Sequence, residues 1–173
     1  MSMNFTFNVK WPQSPDRRTP ENIEQDMIDQ ANAFFQAGSR CEADFRLSPN
    51  VRNTLIAPAV VCYAFALEIY MKLLCHITQI SVKKNHNLIE QFDALPESAI
   101  KIMAKHYRTS EPELRKDIEA ISNAFVEWRY LYEKNEAQIS ITVLSNICFS
   151  LHNTIKELNP KLGITFENRL ALP

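Results

Sequence analysis

The chain has 173 residues, with 19 Lys and Arg against 20 Asp and Glu, four His, a formal net charge of -1 at pH 7, 46% hydrophobic and 23% charged residues. It contains two glycines, Gly38 and Gly163, where the usual frequency gives about a dozen. That shortage excludes the clustered glycines of Rossmann and P-loop phosphate cradles and argues against a turn-rich all-β fold, while the balanced charge leaves no global attraction for nucleic acid or anionic membrane.

From the N-terminus, Phe5, Phe7, Val9 and Trp11 alternate with Thr6, Asn8 and Lys10, a period of two that predicts an extended segment within an arm over residues 1–18. Thr19, Pro20 and Glu21 mark a helix start, and Ile23, Met27, Ala31, Phe34 and Phe35 make a helical stripe. Gly38 suits the end of this helix, unless it runs on through Cys41 and Phe45. Ser48, Pro49 and Asn50 form a break, and a second helix starts either near Val51 or at Pro58 and reaches about Ile77.

That second helix is apolar on almost every side, but its longest apolar run, Leu55 to Leu67, is 13 residues, short of the roughly 20 that span a bilayer. A buried central helix is the expectation, with no membrane association. A loop through Lys83 to Asn87 leads to a short helix ending near Leu95. Pro96, Glu97 and Ser98 open the next, which ends near Tyr107. Thr109, Ser110, Glu111 and Pro112 restart the chain as a fifth helix to about Lys134, with Leu114, Ile118, Ile121, Phe125, Trp128 and Tyr132 on one stripe. The last long helix covers about Ser140 to Leu158, striped by Leu144, Ile147, Cys148, Leu151, Ile155 and Leu158. Asn159 and Pro160 stop it, Gly163 turns the chain, and Ile164 to Phe166 read as extended. The expectation is one all-α domain over 1–173, an antiparallel helical bundle of four to six helices with short extended segments at the termini.

Chemistry concentrates where charge falls on apolar stripes. Val61, Phe65, Glu68 and Lys72 share a face, which predicts a partly buried Glu68. A buried carboxylate requires a cation or donors. Lys72, one turn on, and Arg129, on the flank of the fifth helix, are its candidate partners. Such a pair either fixes helix register or holds an arginine for phosphate. Trp128, Tyr130 and Tyr132 surround Arg129, and Glu133 lies one turn beyond it. Tyr130 is off the stripe and is the candidate for an accessible ring.

The histidines are His76, His86, His106 and His152. None makes a metal-ligand spacing with another or with a cysteine pair, so no metal site or cofactor is expected. His86 precedes a short helix and predicts a capping or boundary hydrogen bond, while His152 flanks the last stripe. Cys41, Cys62, Cys75 and Cys148 form no CxxC pair and read as small buried thiols of a reducing cytoplasm. No serine or cysteine carries a nucleophile signature.

Three segments resemble the HEPN superfamily of helical bundles: Ala64 to Leu74, reading AFALEIYMKLL; His86, Asn87 and Leu88; and Trp128 to Glu133, reading WRYLYE. The resemblance covers roughly residues 55–158. It implies a homodimer with a site near the dimer cleft, and a toxin–antitoxin or phage-defence context. Many members are metal-independent endoribonucleases, marked by an Arg followed after four to six residues by a His. Arg129 matches the arginine, but the positions for the histidine hold Lys134, Asn135 and Glu136. The resemblance therefore implies a non-catalytic module binding RNA, a nucleotide or a cognate protein partner through a cleft around Arg129, with Glu68, Lys72, Tyr130 and Glu133 as further binding candidates. The alternatives are a divergent endoribonuclease, with Arg129 and a base such as His86 or His152, and a structural dimerisation domain.

Overall fold

The computed structural model describes residues 19–47, 55–81, 86–129 and 138–162. Among them the chain is all-helical: α1 Pro20–Leu47, α2 Ile56–Ile77, α3 Leu88–Asp93, α4 Glu97–Tyr107, α5 Glu111–Ile121, α6 Ala124–Arg129 and α7 Ile141–Leu158. The expected extended segments at 5–11 and 164–166 lie outside the described residues.

Polar residues ahead of the apolar stripes start most of these helices. Thr19 Oγ1 accepts from the Asn22 N–H at 3.3 Å, Asn87 Oδ1 from Glu90, Ser110 Oγ from Glu113 and Ser140 Oγ from Val143. Each satisfies a backbone donor that the first helical turn leaves without a partner. Two helices end without the glycine usual at that position. Gln79 after α2 and Arg108 after α4 take the left-handed conformation, at φ 59 and 62 degrees. There the Ile80 and Thr109 N–H groups reach back to the Cys75 and Ala104 carbonyls, which closes each helix in a Schellman turn.

Gly38 is not a helix end. It sits inside α1, where Tyr63 of α2 packs directly against it. A Cβ at Gly38 would stand 2.9 Å from Tyr63 Cδ1. The residue therefore serves a close helix–helix approach. The fifth helix also departs from the expectation. It breaks at Ser122 and Asn123 into α5 and α6. Ser122 Oγ donates to the Ile118 carbonyl at 2.8 Å and its N–H turns to Glu119, competing with continued helix. The Glu127 N–H then starts a fresh helix on the Asn123 carbonyl. Residues 130–134 lie outside the described residues.

α2 is the axis of the bundle, flanked by α1, α7, α6 and α3, while α4 and α5 complete the wall against α7 and α3. Its apolar length is covered by protein: Leu67, Tyr70, Met71, Leu73 and Leu74 are fully buried, against Leu144, Ile147, Leu151 and Ile155 of α7 and Ile28 and Ala31 of α1 within one core. Side-chain hydrogen bonds cross between the helices in and beside that core. Ser150 Oγ donates to the Met103 carbonyl at 2.7 Å, Tyr70 Oη to Asn32 Oδ1 at 2.6 Å and Tyr63 Oη to Glu42 Oε2 at 2.8 Å. These bonds tie α7 to α4 and α2 to α1 at fixed register.

Candidate functional site

Glu68 lies on the α2 face that the sequence assigns to it and is 3% exposed. Its Oε1 accepts from Lys72 Nζ at 2.5 Å and from His86 Nδ1 at 2.8 Å. A carboxylate accepts only, so the His86 Nδ1 carries the hydrogen and donates it to Glu68. The two donors replace the water that burial removes from Glu68. Both partners reach the surface: the Lys72 side chain is 35% exposed and that of His86 61%.

The chain brings His86 to this point by two local devices. The left-handed turn at Gln79 ends α2, and the Asn87 cap, reinforced by Asn87 Nδ2 donating to Glu90 Oε1 at 3.0 Å, fixes the start of α3 directly after His86. The imidazole is also held on one face. Phe125 of α6 stacks on it with ring centroids 6.1 Å apart and 27 degrees between planes. Phe125 stacks in turn on Phe65 at 5.2 Å, and Phe34 of α1 meets Phe65 edge-on at 4.5 Å. A ladder of rings from three helices thus ends at an exposed imidazole.

Arg129 ends α6, one helical turn beyond Phe125, and α6 packs on α2. The Arg129 side chain, Tyr130 and Glu133 lie outside the described residues. Trp128 is buried and serves the core.

His152 is not a boundary residue. It is 4% exposed and stands edge-on to Tyr70 at 6.0 Å. Desolvation, aided by the Lys156 charge, pushes its pKa down to about 4. It is a neutral core group and reaches no ligand at the surface, so of the two candidate histidines only His86 is placed to act. Of the four cysteines expected to be buried, Cys75 and Cys148 are, while Cys41 and Cys62 are only partly covered; burial pushes the Cys75 thiol up to about 11 and raises that of Cys148, which removes both as nucleophiles at neutral pH.

Sequence reasoning named Lys72 as a partner of Glu68 and singled out His86, but missed that His86 is also a partner of Glu68, and it missed the ring ladder. The signals were weak but present: His86 sits one residue ahead of a strong cap, Phe65 three before Glu68, and Phe125 four before Arg129.

Two clefts elsewhere are less suited to chemistry. One of about 760 Å³ lies among α3, α4 and α5 and is lined by Lys101, Lys105 and Arg115. Those cations are already engaged by Glu97, Glu157, and Asp93 with Glu119. The other, of about 650 Å³, is lined mainly by apolar groups such as Ile56, Trp128, Ile139 and Ile141. Among the described residues no group of three His, Cys, Asp or Glu could hold a metal ion. Comparison of the chain with family models, curated proteins and solved structures returned no match.

Proposed function

We propose that this chain is a HEPN-like module that binds a nucleotide phosphate, free or within an RNA strand, at the surface formed by Lys72, His86 and the Arg129 end of α6. The observation that carries the reading is the double hold of one buried carboxylate oxygen on two surface groups. Glu68 takes one of the three Lys72 donors and the Nδ1 edge of His86. The remaining ammonium donors and the imidazole outer edge are thereby preorganised at the surface, which is the arrangement an anionic ligand rewards. Arg129 ends the neighbouring α6, and the family resemblance assigns it to the same site.

The test is equilibrium binding of a short single-stranded oligoribonucleotide and of a mononucleotide across a range of salt. Lys72→Met and Arg129→Ala are each expected to weaken binding about tenfold and to reduce the salt slope by about one for the oligonucleotide. Unchanged affinity in both variants counts against the reading.

A second reading rests on the Glu68–His86 pair alone. A carboxylate that holds Nδ1–H and leaves Nε2 outward is the geometry of an oriented general base, so His86 takes the place of the histidine missing at 134–136. Cleavage of single-stranded RNA that disappears in both His86→Gln and Arg129→Ala, without metal dependence, supports this endoribonuclease reading. Binding without such cleavage leaves the module non-catalytic.

A further inference from the structure

We propose that the outer face of His86 is a stacking platform for an unpaired nucleobase, which makes the ligand of this surface a base-bearing nucleotide rather than a bare phosphate. The inference rests on the reading above and deepens it. Two contacts and an open surface define the imidazole. Glu68 holds its Nδ1 edge, Phe125 covers one face, and the side chain is still 61% exposed. The proposed platform is the face opposite Phe125.

A ring fixed on one edge and one face has little rotamer freedom left to lose, so stacking on its free face costs little ordering entropy. A base that settles there extends the ladder Phe34, Phe65, Phe125, His86 by one more ring. Lys72 Nζ shares the Glu68 Oε1 with His86 Nδ1, which puts a cation beside the platform where the phosphate of the stacked nucleotide can reach it. Since every base has a π-face, the platform accepts any unpaired base with little sequence preference. A base already paired and stacked inside a duplex is not free to occupy it.

The experiment uses the full chain and two oligoribonucleotides of equal length and charge, one with all its bases and one abasic at its central positions. A third arm uses adenosine monophosphate against ribose 5-phosphate. Wild-type protein is expected to bind the base-bearing member of each pair about tenfold more tightly. His86→Leu abolishes that preference, and His86→Phe, which restores a ring without the Glu68 bond, keeps most of it. A preference seen with both pairs assigns the platform to nucleotides in general, and one seen only with the oligonucleotides assigns it to strands.

Equal binding of base-bearing and abasic ligands by the wild type overturns the platform. So does a preference that survives in His86→Leu. In either case a loss of affinity for both ligands in Lys72→Met leaves phosphate binding standing. If the wild type binds none of the four probes, the platform and the phosphate reading fall together.

Discussion

Glu68 and His86, eighteen residues apart, meet at 2.8 Å between Oε1 and Nδ1, and this contact fastens the segment before α3 to the central helix. One partner is buried and the other is mostly at the surface. The contact is therefore a means of holding an exposed ring from inside the core.

The coupling between the two is measurable. Glu68→Ala leaves a space in the bundle and removes the acceptor of two hydrogen bonds, and is expected to lower stability by about 1–3 kcal/mol in urea denaturation. In a double-mutant cycle with His86→Ala the two residues are expected to couple by about 1 kcal/mol, within the range for groups in direct contact. Additivity within about 0.3 kcal/mol contradicts a held imidazole.

Gly38 offers a sign test of the fold. An Ala in place of Gly inside a helix ordinarily stabilises by about 1 kcal/mol. Here the new methyl meets the Tyr63 ring at 2.9–3.0 Å, and that ring is buried and anchored to Glu42. Gly38→Ala is expected to destabilise by about 1–3 kcal/mol. In a Tyr63→Leu background the same change is expected to cost much less, and thermal melts of the four proteins decide it.

The helical architecture was legible because its signals are local. Caps at Thr19, Asn87, Ser110 and Ser140 and the apolar stripes need only neighbouring residues to be read. The burial of Glu68 followed from its place on an apolar helix. The break at Ser122 was hidden because the apolar pattern continues across it, while a side-chain hydrogen bond to Ile118 and a tightened turn end the helix. The place of Gly38, at the end of the first helix or inside it, stayed open because only the neighbouring helix shows why a side chain is excluded there. The Glu68–His86 contact and the ring ladder join segments distant in the chain, and such pairings leave no local pattern.

Acid sensitivity has a named source in His152. Its folded pKa, about 4, lies below the ordinary histidine value of 6.5, so the unfolded chain takes up the proton first. The stabilisation is fully present above pH 6.5. It is lost progressively as pH falls from about 6.5 to about 4, and the loss levels off below that. It amounts to at most about 3 kcal/mol. His152→Gln is expected to flatten the stability profile in that window relative to wild type, the difference between the two being the measured quantity.

The left-handed helix ends supply a stabilising prediction. Gln79 and Arg108 adopt a conformation that disfavours side chains other than that of glycine. Gln79→Gly and Arg108→Gly are each expected to stabilise by about 0.5–1 kcal/mol, raising the thermal midpoint by a few degrees. A drop in the midpoint of both variants contradicts the positive φ at these positions.

The most direct measurement of the central claim is the nuclear magnetic resonance spectrum of the four histidine rings, assigned by single substitutions, during titration with a short single-stranded oligoribonucleotide. A ligand that docks on the Lys72 and His86 surface is expected to move the His86 ring resonances strongly and to leave those of the buried His152 in place. Saturable binding with the His86 ring unmoved contradicts the account.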